Sequence, residues 1–144
     1  MSDPIICKNL SDMAIIAASF AKKIMPGQII TFEGPLGAGK TTFAQGLLKA
    51  WGYEGAVTSP TFGLVHEYKG LHANGHDFNV AHFDLYRLKN SSELEDIGFR
   101  DYLDDHTICL IEWPCRAQDY LPKADWHFIL DHLENGRSID VGLR

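Results

Sequence analysis

Gly34-Pro35-Leu36-Gly37-Ala38-Gly39-Lys40-Thr41-Thr42 is the stretch on which the fold turns. It fits the pattern G-x-x-x-x-G-K-[ST] without substitution, follows the apolar run Ile29-Ile30-Thr31-Phe32, and precedes a segment with helical spacing, the setting that pattern requires. Such a strand, loop and helix bind nucleotide phosphate. Gly37 and Gly39 carry no Cβ, so the chain can fold back and aim successive N–H groups at an anion. The helix expected from about Lys40 adds the positive end of its dipole to the same point. Lys40 is placed to neutralise the β and γ phosphates, and the Thr41 hydroxyl to bind Mg2+.

Working outward, Ser11 is positioned to cap a helix whose apolar residues Met13, Ile16, Ala17, Phe20, Ala21 and Ile24 share one face, with Pro26-Gly27 as its stop. Gln28 to Glu33 reads as the strand feeding the loop. The next helix runs from about Lys40 to Trp51, with Phe43, Leu47 and Trp51 inward and Gly52 as its stop. The hydroxyl-rich Thr58-Ser59-Pro60-Thr61-Phe62 suits a segment that senses the γ-phosphate, and Phe62 to Tyr68 reads as a strand. Lys69 to Asn79 reads as a surface loop or hairpin turn. Its His72 and His76 flank Asn74-Gly75 with no second ligand pair nearby, which argues for a solvated loop over zinc.

Two carboxylates then arrive at strand ends, where an open α/β sheet places its ligands. Val80 to Leu85 delivers Asp84; the apolar run Thr107-Ile108-Cys109-Leu110-Ile111 suits a strand buried on both faces and delivers Glu112. One of them must serve the metal, and spacing does not choose between them. Trp113-Pro114 follows, with Trp113 equally suited to stacking on a purine or filling the core. Between these strands, Ser92-Glu93-Leu94-Glu95 has the form of a capping box opening a short helix, and Arg87 and Arg100, either of which could pair with phosphate as an internal arginine finger, read sooner as surface arginines. Trp126 to His132 and Arg137 to Leu143 flank Asn135-Gly136, a hairpin signal that adds antiparallel edge strands to an otherwise parallel sheet.

Composition bounds the rest. The chain of 144 residues makes one domain, 1–144, and a domain of this size buries roughly 68–70% of its extended surface. Its 45% apolar and 22% charged residues are ordinary for a soluble protein, and no apolar run nears the roughly 20 residues of a membrane helix. No membrane role is expected. The three cysteines Cys7, Cys109 and Cys115 form an odd set, the last two in a C-x5-C spacing that matches neither zinc nor redox motifs, and no signal segment is evident; this points to a reducing cytoplasm. Nineteen acids against 13 bases, a net charge of −6, argue for protein partners over a broad grip on nucleic acid.

Taken together with His82-Phe83-Asp84-Leu85-Tyr86-Arg87-Leu88 and Glu112-Trp113-Pro114, the loop and the Thr58 to Phe62 segment make the chain resemble the TsaE family from about Leu10 to Arg137. These are bacterial ATPases of tRNA threonylcarbamoyladenosine biosynthesis. The resemblance implies an α/β, three-layer, P-loop NTPase-like domain with a mixed, mainly parallel sheet and antiparallel edge strands. It implies that ATP is hydrolysed to support turnover of the TsaB and TsaD proteins, which modify adenosine 37 of tRNAs reading codons that begin with A. Carried over by position, Leu36, Gly37, Ala38, Gly39, Lys40, Thr41 and Thr42 hold the phosphates, Thr41 and Glu112 bind Mg2+, and Lys40 and Asp84 act at the γ-phosphate. Trp113 lies by the nucleotide, and Ser11 and Arg137 stand at matching positions near it. Direct contact with tRNA is left open.

Two other readings compete. A small-molecule kinase of the same fold would need an acceptor pocket and an arginine-bearing lid; a nucleotide-gated binding module would need occupancy without hydrolysis. No Asn-Lys-x-Asp stretch is present to select guanine. Without an arginine finger such sites hydrolyse at about 10⁻⁴ to 10⁻² per second, so the isolated protein is expected to be a poor ATPase that depends on its partners.

Overall fold

Four successive apolar residues, Ile108 to Ile111, flanked by Thr107 and Glu112, form a strand buried along its whole length, Thr107–Glu112, and the fold is built around it. The computed structural model describes residues 3–53, 64–71 and 75–143. In chain order the elements are β1 (Ile5–Cys7), α1 (Leu10–Ala21), β2 (Ile29–Glu33), α2 (Lys40–Ala50), β3 (Val65–Leu71), β4 (Asp77–Asp84), α3 (Ser92–Asp96), β5 (Thr107–Glu112), β6 (Trp126–Leu133) and β7 (Gly136–Leu143). Short 3₁₀ turns occupy Phe99–Tyr102 and Pro114–Ala117.

The seven strands lie in one sheet in the order β1-β7-β6-β2-β5-β4-β3. β6, β2, β5 and β4 run parallel, while β3 at one edge and β7 and β1 at the other pair antiparallel. The expected mixed, mainly parallel sheet is therefore present. Alternate residues of the central strands feed two cores: Ile30, Phe32, Ile108 and Leu110 face α1 and α2, and Cys109 and Ile111 face α3 and the 3₁₀ turns. On the first face Phe20, Phe43 and Phe128 interlock, with ring centroids 5.0 Å apart for Phe20 and Phe128 and 4.9 Å for Phe43 and Phe128. Such pairs add about 0.5–1.5 kcal/mol beyond the area they bury. Trp51 closes this layer at the end of α2, donating its indole N–H to Ala21 O at 3.0 Å.

Several local expectations are corrected. Ser11 does not cap α1: Asn9 does, its Oδ1 accepting the Asp12 N–H at 2.9 Å while Asp12 accepts the Lys8 N–H at 2.9 Å. This cap, in which Asp12 reaches back one residue beyond the N–H that a capping box would use, starts the helix two residues earlier and leaves Ser11 exposed in the first turn. α3 likewise lacks the Ser92 to Glu95 box; Glu93 accepts the N–H groups of Lys89 and Asn90 at 2.6 and 3.2 Å, and Asn90 Oδ1 accepts that of Ser92 at 3.0 Å. Among the described residues the first strand after α2 begins at Val65, with the expected start at Phe62 outside them, and the expected loop from Lys69 to Asn79 shortens, since β3 reaches Leu71 and β4 starts at Asp77. His72 and Asn74 lie outside the described residues.

The last hairpin pairs Leu133 with Gly136, so its turn residues are Glu134-Asn135 rather than Asn135-Gly136. Gly136 is needed for a different contact. At φ +154° it lies against β1, where a Cβ would come within 2.2 Å of Cys7 O. β1 itself, three residues long, offers no periodicity from which to be read.

Candidate functional site

Gly34 to Gly39 turns the chain from the end of β2 into α2, with Gly37 and Gly39 at φ +77° and +106°. These conformations are the ones that favour glycine, as the loop pattern required. The loop floors a cleft of about 1220 Å³, whose walls include Lys40, Thr41, Asp84, Glu112 and Trp113. Leu36 caps the loop at 64% exposure, its carbonyl accepting a hydrogen bond from His132 Nε2 at 3.0 Å, while Ala38 is buried beneath.

The two strand-end carboxylates meet here because β4 and β5 are parallel neighbours in a register that sets Asp84 beside Glu112. Their environments differ. Glu112 is 2% exposed and accepts the Thr41 hydroxyl, whose Oγ1 lies 3.3 and 3.2 Å from its two oxygens. Asp84 lines the open cleft, and its Oδ1 accepts the Tyr86 N–H at 3.1 Å. Lys40 Nζ donates to the carbonyls of Gly34 and Pro35, the latter at 3.0 Å, and sits 4.0 Å over the Trp113 ring. Burial lowers the Lys40 pKa, opposed by the charges of Glu112 and Asp84.

Burial pushes the Asp84 carboxyl above its ordinary value of 3.8; the Tyr86 N–H opposes this and the neighbouring Glu112 adds to it. An acid with a raised folded pKa destabilises the fold once ionised. The cost is absent below the unfolded pKa, grows as pH rises through the window between the two values, and is complete above the folded one. Asp84→Asn therefore raises the melting temperature at pH 7 in metal-free buffer, and the gain vanishes near pH 3.5. Thermal melts at the two pH values check this; a loss of stability at pH 7 would contradict it.

Trp113 is the sole non-glycine with positive φ among the described residues, at φ 59° and ψ 51°. That geometry swings its ring out of the strand direction and over Lys40. The ring also stacks on Tyr86, centroids 4.9 Å apart and planes 27° from parallel, with Arg116 5.5 Å from the Tyr86 ring centroid. Trp113 thus belongs to the wall of the cleft. In the sequence Tyr86 is read only as part of the His82 to Leu88 stretch, without a role of its own, and Arg116 not at all.

A second cavity of about 210 Å³ lies on another side of the loop, lined by Asn9, Met13, Gly39, Thr42 and Arg137 among others. The hairpin thus carries Arg137 to the loop, and Thr42 borders both spaces. Ser11 lines neither. Arg87 borders the outer cleft, whereas Arg100 lies 5.8 Å from the Tyr120 ring. Thr58 to Phe62 lie outside the described residues. Cys7, Cys109 and Cys115 are free thiols, and burial pushes Cys109 up to about 12. No helix among the described residues is long and apolar enough to cross a membrane.

No cluster of three or more His, Cys, Asp or Glu ligands occurs among the described residues. The hydroxyl of Thr41 and the carboxylates of Glu112 and Asp84 are instead hard oxygen donors in small number. This is the donor set of Mg2+, which relies on one or two carboxylates together with substrate phosphates.

The fold and site define a class: an α/β protein with a mixed sheet whose central strand leads through a glycine-rich loop of phosphate-binding sequence into a helix facing two carboxylates. Residues 7–139 match the family described as threonylcarbamoyl adenosine biosynthesis protein TsaE. The chain belongs to the TsaE family, as its motifs led us to expect. Relatives named tRNA threonylcarbamoyladenosine biosynthesis protein TsaE include one from Haemophilus influenzae, 43% identical over 78% of this chain and 68% of its own length. One from Bacillus subtilis is 39% identical over 82% and 68%, and one from Treponema pallidum 31% identical over 94% and 97%. Among solved structures, that of Bacillus subtilis YdiB superposes with a TM-score of 0.77 at 26% identity, over 99% of this chain and 86% of that one.

Proposed function

We propose that the protein is a P-loop ATPase that takes part in forming threonylcarbamoyladenosine at position 37 of tRNAs reading codons beginning with A. It works in the cytoplasm and supports turnover of a TsaB–TsaD complex. The observation that carries the reading is the convergence of Lys40, Thr41 and Glu112 at the mouth of the loop, with the Thr41 hydroxyl in contact with the carboxylate. Membership of the TsaE family supplies the pathway.

In this reading the N–H groups from Leu36 to Thr42 cradle the phosphates of ATP, and the Lys40 ammonium leaves the Gly34 and Pro35 carbonyls to meet the β and γ oxygens. Thr41 and Glu112 hold Mg2+, which when bound neutralises charge building on those oxygens. Asp84, whose raised pKa brings it closer to neutrality, orients the attacking water and draws on its proton. Trp113 and Tyr86 wall the γ-phosphate side and exclude bulk solvent. Arg137 and the start of α1 form the smaller cavity that receives the rest of the nucleotide.

Phosphate release by the isolated protein and by its mixture with TsaB and TsaD tests the proposal. Slow hydrolysis alone and a large stimulation by the partners, up to about 10³ to 10⁵-fold if a partner completes the charge stabilisation, is the expected result. Equal rates would discard the partner dependence. The cleft also continues past Trp113 to Arg87 and Arg116, room that an acceptor could use. Label from the γ-phosphate appearing on a metabolite, rather than as free phosphate, would favour a kinase.

A further inference from the structure

One buried polar side chain touches the site and has been given no task. His82 is fully buried on β4, two residues before Asp84 and on the same face of the strand. Its Nε2 lies 2.6 Å from Glu112 Oε2, a short contact between two groups that are both shielded from water. Its Nδ1 has no hydrogen-bond partner among the described residues. An imidazole that leaves one nitrogen bare inside a core is a poor filler, since an apolar side chain of similar size would pack there without stranding a polar atom. Its presence calls for a compensating task, and the one bond it makes is to Glu112.

We propose that His82 is a positioning residue: it fixes the rotation of the Glu112 carboxylate so that this group is held ready for Mg2+ beside Thr41. Because Nδ1 has no acceptor to serve, the proton belongs on Nε2, which donates it to Oε2. That oxygen is tied to β4, while the Thr41 hydroxyl, 3.3 Å from Oε1 and 3.2 Å from Oε2, approaches the same carboxylate from the loop side. Glu112 is the last residue of β5, and without His82 only the longer contact with the Thr41 hydroxyl would restrain its side-chain torsions. An outer partner that removes that freedom preorganises the ligand, and losing such a partner typically weakens metal binding by about 10 to 100-fold.

The inference rests on the reading that Glu112 holds the metal. Gln and Asn separate a positioning role from a packing role. The amide nitrogen of Gln is as many bonds from Cβ as Nε2 and can reach Oε2; that of Asn corresponds to Nδ1 and cannot. Mn2+ binding in the presence of ADP, followed by the paramagnetic resonance of the free ion, gives the metal affinity without recourse to turnover. Calorimetry with ADP in EDTA gives the metal-independent nucleotide affinity. His82→Asn should lose about 10 to 100-fold in Mn2+ affinity, His82→Gln should stay within about threefold of the parent on the same scale, and both should bind ADP in EDTA as the parent does. Equal Mn2+ affinities for the two variants, a loss that appears equally in EDTA, or failure of His82→Gln to fold would overturn the proposal. Glu112→Gln is run beside them. If it leaves Mn2+ affinity untouched, the metal assignment itself falls; if it lowers that affinity while His82→Asn does not, only the role of His82 falls.

Discussion

Lys40→Ala weakens ATP binding by about 10 to 150-fold, the equivalent of the 1.5–3 kcal/mol carried by hydrogen bonds to a charged group, and slows phosphate release by about 10² to 10³-fold. The rate loss exceeds the binding loss because the ammonium meets charge that grows on the transferred phosphoryl group. The fold should survive. Lys40 is held by two loop carbonyls and the Trp113 face, and burial works against its charged form. The buried Glu112 beside it keeps the Thr41 hydroxyl and His82 as hydrogen-bond partners when the ammonium is removed. Calorimetry and phosphate release, read against an unchanged circular dichroism spectrum, check all three statements. Parent-like ATP affinity in Lys40→Ala would end the nucleotide assignment. Lys40→Arg should not rescue, because a planar guanidinium cannot replace a compact ammonium reaching into a tight loop.

The second large effect is on the fold. Gly34→Ala should cost about 2–6 kcal/mol, adding backbone strain of about 1–3 kcal/mol to overpacking of a similar size. Gly34 has φ +147°, and a Cβ built there would stand 2.1 Å from Leu130 O and 3.1 Å from Leu130 C. Both are backbone atoms of β6, the strand that pairs with β2, so neither can swing away as a side-chain tip would. Relief requires the loop to lift off the sheet. A fall in melting temperature of about 10–20 °C is expected, with nucleotide binding lost before the protein melts. Gly52→Ala is the control. It has φ +87° with nothing within 4 Å, so it carries the conformational cost alone, about 1–2 kcal/mol. Equal losses in the two variants would show that close approach to β6 is not what Gly34 serves.

Much of the architecture could be read locally. β5 was visible as an unbroken apolar run, α1 through its repeat of Met13, Ala17, Phe20 and Ala21, and the loop through its glycines, because each pattern depends on residues within one turn or strand of each other. The caps misled for the same reason. Ser11 and Asn9 are both good N-cap residues, and what decided between them was Asp12 reaching back to Lys8, a matter of two side chains in space. Asn135-Gly136 looked like a turn, yet Gly136 answers to the approach of β1. Ser11 matched a position near the nucleotide but lines neither cavity, whereas Arg137 reaches one of them on the returning strand.

By itself, the order of residues determined that a strand passes through a phosphate-binding loop into a helix, and that carboxylates end two later strands, since short-range sterics and hydrophobic spacing suffice for both. Only the tertiary structure decided that Glu112 is the buried acid in contact with Thr41, that Asp84 lines the open cleft beside it, and that His82 stands behind the first of these. Those assignments depend on the parallel register of β4 and β5 and on what each strand end meets across the sheet, and such long-range contacts leave no periodic trace along the chain.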